Sequence, residues 1–308
     1  MGVGVDSTNS GADANVAAEA AVRARIQSLL GSAPLTSEYR AAVGVALALP
    51  GNALSATPKM RWARPVWTCC MVAGGPWQRA VPVAAAMELF MVALDLLDDE
   101  EDAEGNPVQV ALGNARALNV STGLLLLAQR DLAADGSADI IHAATLRACS
   151  GQHADLSPET EGGVTLGDAL HVTAEKSSTL VAAAYRLGAL MGGADARTQV
   201  LYEQLGAYVG MVAQLTNDMA ALHPDACGKT DALLGRPTLP LTCAVILARP
   251  PNSGTRGREP HATRWTDGPL QLTWVVAETY RRYALDLISQ LASDDTGKSA
   301  LTTLLCAV

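Results

Sequence analysis

The chain has 308 residues, 49% of them hydrophobic, and a formal net charge of -9 at pH 7. That apolar share can fill a sizeable core, while an acidic balance with no basic stripe excludes a nucleic-acid partner. Its six cysteines, at 69, 70, 149, 227, 243 and 306, form no CxxC pair, which argues against zinc and for a reducing compartment.

Residues 1–13 (MGVGVDSTNSGAD) are small and polar and read as a disordered leader, without the basic-then-apolar layout of a signal peptide. Helical periodicity then takes over. Apolar residues recur at spacings of three and four over 14–30, 36–49, 64–73, 82–103, 107–134, 138–150, 165–191, 196–222, 239–249, 269–293 and 296–307. Turn residues fall between them, such as Gly31-Ser32-Ala33-Pro34, Pro50-Gly51-Asn52, Gly105-Asn106-Pro107 and Gly192-Gly193. No strand pattern interrupts the series, and segment 250–268, rich in proline, glycine and charge, reads as a long loop. The most apolar stretch, from Pro82, is broken by Glu88 and Asp95, so no membrane span is expected and the protein reads as cytoplasmic. These elements predict one all-α domain over 14–308, a bundle of about ten to twelve helices.

Six acidic side chains, Asp95, Asp98, Asp99, Glu100, Glu101 and Asp102, crowd the C-terminal end of the helix predicted from Pro82. The helix macrodipole already places partial negative charge there, so each carboxylate costs roughly a few tenths of a kcal/mol, and a compensating cation is expected. Asp98 and Asp102 stand one turn apart on one face, with Asp95 a turn below, so their oxygens can converge on a divalent ion. Hard oxygen ligands in an open cluster suit Mg²⁺, which fills the rest of its shell with water and phosphate oxygens. Taken alone, D-D-x-x-D fits a solvated acidic helix end as well as a metal site.

A second polar patch, Gln214-Leu215-Thr216-Asn217-Asp218-Met219-Ala220-Ala221-Leu222-His223-Pro224-Asp225, lies on another apolar helix, and Gly228-Lys229-Thr230-Asp231 and Gly235-Arg236-Pro237 follow it. Arg64-Pro65, Asp98-Asp99-x-x-Asp102, Gly151-Gln152-x-x-Asp155-Leu156 and Lys176 precede it in that order. In these motifs, over about residues 25–307, the chain resembles the trans-isoprenyl diphosphate synthase (polyprenyl synthetase) family, with a second metal motif similar to that of class I terpene synthases. The resemblance implies the isoprenoid synthase fold, an α-helical bundle around a deep apolar cavity, and a homodimer. It also implies a prenyl diphosphate substrate, ionised to an allylic carbocation by three Mg²⁺ held between the two patches. Carried over residue by residue, Asp98, Asp99, Asp102, Asn217, Asp218 and Asp225 become metal ligands, with Asp98, Asp102 and Asn217 central to catalysis. Lys176, Lys229, Arg236, Arg61 and Arg64 become diphosphate ligands, and Phe90, Met91, Ala93, Leu94, Gln152, Asp155, Ser177 and Gln214 the pocket around them. The chemistry is coherent, because a departing diphosphate needs its developing charge neutralised in a water-poor site, which metals and basic side chains achieve.

The chain departs from that family where a second diphosphate, the acceptor of chain elongation, is bound. Lys59-Met60-Arg61-Trp62-Ala63-Arg64-Pro65 stands for the family's Gly-Gly-Lys-x-x-Arg segment, Met91 for a histidine, and Ala103-Glu104-Gly105 for Arg-Arg-Gly. An anionic acceptor is therefore disfavoured. In the second patch, Asn217, Ala221 and Asp225 keep the i, i+4, i+8 spacing of the Asn-Ser-Glu triad of terpene synthases, with the serine lost and Asp in place of Glu. The predicted function is a terpene synthase on a prenyl synthase scaffold, acting on a farnesyl or geranylgeranyl diphosphate. The alternatives are prenyl transfer to an indole or other aromatic acceptor, ordinary chain elongation, and a non-catalytic subunit of a heteromeric synthase. A single phenylalanine, Phe90, and 4% aromatics weigh against an elaborate cyclase, and the small Ala93, five residues before Asp98, leaves room for a farnesyl-length or longer chain.

Overall fold

The structure, a computed structural model, describes residues 7–102, 105–132, 136–157, 163–222, 238–248 and 267–307. Asp225, Lys229, Arg236, Glu104 and residues 250–266 of the expected loop lie outside them. Among the described residues every regular element is helical. In chain order they are α1 (Ser7–Ser32), α2 (Ser37–Leu47), α3 (Ala63–Val72), α4 (Val81–Glu101), α5 (Pro107–Leu112), α6 (Asn114–Gln129) and α7 (Ser137–Leu156). Then follow α8 (Leu166–Thr173), a π-helical turn (Ala174–Ser178), α9 (Thr179–Gly192), α10 (Ala196–Ala221), α11 (Leu239–Ala248), α12 (Asp267–Leu291) and α13 (Asp295–Cys306).

Helix α4 is the axis of the bundle. Positions 83–93 are buried on every side, as expected of a helix apolar all round its circumference, and α1, α3 and α6 pack against it. The stretch Trp77–Glu101 is long and apolar enough to cross a membrane, yet 72% of that window is buried within the fold. A second core joins Tyr185, Tyr202, Val209 and Val212 to Ala284, Ile288 and Leu301, so that α9 and α10 bridge the α4 side to α12 and α13. Helices α3 and α9 touch backbone to side chain: a Cβ added at Gly188 would lie 2.5 Å from the Val66 carbonyl oxygen.

Several boundaries differ from the sequence reading: α7, expected over 138–150, runs on to Leu156, and the helix expected over 165–191 is interrupted by the π-helical turn. Helix α1 begins at Ser7 instead of 14, so residues 7–13 extend it instead of forming a leader; once the packed turns are nucleated, each added residue costs little. The expected helix 107–134 is two helices broken at Gly113, whose φ of 79° no helix accommodates. Its first half is fixed by a capping box: Asn106 accepts from the Gln109 N–H, and Gln109 accepts from the Asn106 N–H. Polar ties then fasten α1 to the bundle. Asn15 accepts from the Trp67 indole at 2.9 Å, and Arg25 forms a two-pronged pair with Asp131 beyond α6.

Candidate active site

The cation demanded by the acidic end of α4 comes from the π-helical turn. Lys176 Nζ lies 3.0 Å from Asp155 Oδ2 on α7, 3.3 Å from Asp98 Oδ1 and 3.8 Å from Asp102 Oδ2. Burial works against the ammonium, but the charges of Asp98, Asp155 and Asp102 outweigh it and hold its pKa above the ordinary lysine value. Burial likewise raises Asp98, with Lys176 pulling it back and Asp102 pushing it further. Among the described residues the carboxylates of Asp98, Asp102 and Asp155 face the single ammonium of Lys176, and a site lined by carboxylates attracts cations.

The other predicted residues divide by position. Asp99 accepts from Asn106 Nδ2 at 2.9 Å and so is engaged by the N-cap of α5. On α10, Asp218 is buried and accepts from Gln214 Nε2 at 2.8 Å, while its neighbour Asn217 is exposed. Phe90, Met91 and Ala93 are packed into the main core, with Leu94 partly buried against it. Ser177, half-buried, adjoins Lys176 in the π-helical turn. Gln152 lies one turn before Asp155, and both atoms of its amide are buried without a hydrogen-bond partner among the described residues. Such a group awaits a polar ligand or an ordered water. A separate apolar hollow of about 470 Å³, lined by Leu35, Tyr39, Leu126 and Leu127 among others, carries no carboxylate and is not this site.

Two further acidic residues of α4 bear on the site: Glu88, to which the sequence reading gave no role in it, and Asp95, which that reading set a turn below Asp98 in the acidic cluster. Glu88, 2% exposed in the middle of α4, accepts from the Trp62 N–H at 3.1 Å and the Ala63 N–H at 2.9 Å, so it caps the start of α3 from outside. Burial raises its pKa to about 7, against the pull of those two N–H groups and of Arg61. Asp95 touches solvent, yet the protein crowded around it and the charges of Asp99 and Asp98 also push it up to about 7, with Arg61 opposing. Arg64 Nη2 stands 3.9 Å from Glu19 Oε2. Of the two arginines of the 59–65 segment, Arg64 thus has a carboxylate of this chain within ion-pair distance, and Arg61 lies near enough to Glu88 and Asp95 for its charge to act on them. A lone acidic residue inside an apolar run was the available signal for Glu88, since a buried charge requires partners.

The donor set fits magnesium by its chemistry, the carboxylate oxygens of Asp98, Asp102 and Asp155 all facing one point. Among the described residues no three such side chains are drawn in tightly enough to grip an ion as they stand; Lys176 holds them at ammonium distances.

Residues 59–255 match the polyprenyl synthetase family. The chain belongs to that family. Among curated polyprenyl synthetase relatives it is similar to the (2E,6E)-farnesyl diphosphate synthase of Mycobacterium tuberculosis (strain ATCC 25618 / H37Rv), 30% identical over 246 residues, which are 75% of this chain and 62% of that protein. The alignment therefore spans less than two thirds of that relative. It is also similar to the tryptophan prenyltransferase ComQ of Bacillus spizizenii, 27% identical over 50% of this chain and 55% of that one. Among solved structures, a polyprenyl synthetase from Streptomyces coelicolor A3(2) superposes with a TM-score of 0.74 at 21% identity, covering 96% of this chain and 97% of the other. That likeness shows the fold, the all-α isoprenoid synthase fold that the resemblance implied.

Proposed function

We propose that this polyprenyl synthetase ionises a linear prenyl diphosphate of the farnesyl or geranylgeranyl class and releases pyrophosphate. The observation that carries the reading is the convergence of Asp98, Asp102 and Asp155 on the Lys176 ammonium. Bound Mg²⁺, three ions in our reading, supplies charge neutralisation for the leaving diphosphate. Asp98 and Asp102 would hold the ions from α4 and Asn217 from α10, with Asp225, outside the described residues, as a further ligand by the resemblance. The residues do the rest. The carbon–oxygen bond breaks with its electron pair leaving on pyrophosphate, the Lys176 ammonium meets that negative charge, and the apolar α4 wall keeps water from the carbocation.

The cation is then consumed without a second diphosphate. Arg64 stands 3.9 Å from Glu19, and the charge of Arg61 acts on Glu88 and Asp95, which supports a segment whose arginines are drawn toward this chain's own acids and away from an anionic acceptor. Loss of a proton or capture of water gives a hydrocarbon or alcohol, the terpene synthase outcome. A second reading, transfer to an indole or other neutral aromatic, is favoured by the similarity to a tryptophan prenyltransferase. We propose further that the chain acts as a cytoplasmic homodimer, supported by the exposed apolar side chains Val110, Leu118, Leu126 and Leu146 on α5, α6 and α7.

The deciding experiment incubates the protein with Mg²⁺ and geranyl, farnesyl or geranylgeranyl diphosphate, with and without isopentenyl diphosphate or an added indole, and measures pyrophosphate and volatile products. Volatile product without any acceptor supports the synthase. Pyrophosphate release that requires the indole supports the transferase. Longer prenyl diphosphates would overturn the account of the acceptor side, and silence on every substrate would favour a non-catalytic subunit.

A further inference from the structure

The π-helical turn that carries Lys176 is pinned from two helices. A π-turn inserts one extra residue into a helix, a strained arrangement that survives only where neighbours support it. From α7, Arg147 holds Glu175 through two hydrogen bonds, of 2.9 and 2.5 Å. From α10, the Ala207 carbonyl accepts from Ser178 Oγ at 2.7 Å. The closest approach is at Gly151 on α7, one turn before Asp155. A Cβ there would lie 2.4 Å from the Lys176 nitrogen and 2.8 Å from its Cα and from the Glu175 carbonyl carbon. All three are backbone atoms, so no side chain could swing aside to make room.

We propose that Gly151 is a positioning residue: its missing side chain seats the π-turn against α7 and holds the Lys176 ammonium among Asp98, Asp102 and Asp155 as an exchangeable counter-ion, which a divalent cation displaces toward a bound diphosphate. The inference rests on the magnesium and diphosphate reading above. Its physical content is competition. The ammonium stands 3.0 to 3.8 Å from the three carboxylate oxygens, and a Mg²⁺ bound to the same carboxylates at about 2.1 Å would put two positive charges side by side, so each cation opposes the other. Lys176 therefore weakens the binding of magnesium alone and, once displaced, strengthens the binding of magnesium with diphosphate.

Opposite signs make the test specific. Titration calorimetry of wild type, Gly151→Ala, Lys176→Met and the double variant is carried out with Mg²⁺ alone, and with inorganic pyrophosphate in saturating Mg²⁺. Each single variant is expected to bind Mg²⁺ alone on the order of tenfold more tightly and pyrophosphate on the order of tenfold more weakly, a tenfold change being about 1.4 kcal/mol. The double variant should stay within about twofold of Lys176→Met, because the glycine acts only through the lysine. General damage would weaken both ligands together. Ser178→Ala loosens the same turn without adding an atom and should move both affinities in the same directions, which carries the test if Gly151→Ala does not fold. Weakening of both ligands by these variants, no change in either, or a full Gly151→Ala effect in the Lys176→Met background would overturn the inference. Failure of wild type to bind Mg²⁺ and pyrophosphate at all would overturn the magnesium reading itself and, with it, this one.

Discussion

Replacing Glu88 with glutamine should change how the stability of this fold depends on pH. The Glu88 carboxyl is 2% exposed, and one of its oxygens accepts from both the Trp62 and Ala63 N–H groups, an arrangement that a glutamine carbonyl can reproduce. Burial raises its pKa from 4.5 to about 7 on folding. An acid raised on folding keeps its proton in the native state at pH values where the unfolded chain has lost it. Its contribution is therefore most favourable below pH 4.5, declines as pH rises between 4.5 and about 7, and levels off above that. Between pH 5 and pH 8 the native state with Glu88 should lose about 2.5 kcal/mol from this group, at about 1.4 kcal/mol per pH unit. Glu88→Gln removes that term and adds a constant cost for its buried amide donors, on the order of 1–3 kcal/mol. Urea denaturation of both proteins at the two pH values isolates the effect, because the constant cost and the titration of Asp95 largely cancel in the difference. The variant should gain about 2.5 kcal/mol relative to wild type on going from pH 5 to pH 8. Stability curves that run parallel would refute the placement of a neutralised carboxyl under the start of α3.

Gly188→Ala should destabilise by about 2 kcal/mol or more, since the new methyl would meet the Val66 carbonyl at 2.5 Å and Cys69 Cβ at 2.6 Å; a thermal melt checks it, and an unchanged midpoint would mean that α3 and α9 are further apart. Asp155→Asn removes the nearest partner of Lys176, at 3.0 Å, and should lower kcat/KM for pyrophosphate release on the order of 100-fold with the helical circular dichroism intact; near-wild-type kinetics would take Asp155 out of the site. Charging the exposed apolar side chains with Leu126→Asp and Leu146→Asp, 61% and 70% exposed, should convert a dimer to monomer in sedimentation velocity with the helical circular dichroism intact. A monomeric wild type would refute the dimer, and a variant that stays dimeric would place the interface elsewhere.

Much of the fold was legible because long amphipathic or wholly apolar helices announce themselves by period, and strong stops such as Pro107 and Gly192-Gly193 bound them. Gly113 was not read as a break, since an isolated glycine in a helical pattern is usually tolerated and only its positive φ reveals otherwise. The π-helical turn had no local signature at all. Ala174-Glu175-Lys176-Ser177-Ser178 has ordinary helix-forming composition, and what sets it apart is the approach of Gly151 from α7 and of Ala207 from α10. The same limit applied to the site. Asp98 and Asp102 could be paired from spacing along one helix, but the addition of Asp155 and Lys176, 53 and 74 residues beyond Asp102, is a tertiary event. The acidic end of α4 did call for a cation, and the sequence reading supplied it as magnesium alone; the structure adds an ammonium from the chain itself.

The central claim is that the cluster at Asp98, Asp102, Asp155 and Lys176 drives loss of pyrophosphate from a prenyl diphosphate. It is tested most directly by following pyrophosphate release from geranyl, farnesyl and geranylgeranyl diphosphate with wild type and Asp98→Ala, each with Mg²⁺ and with a chelator. Release by wild type from at least one substrate, abolished by the chelator and by Asp98→Ala, is the predicted result. Release that survives in Asp98→Ala at the wild-type rate, or no release by wild type from any of the three, would contradict it.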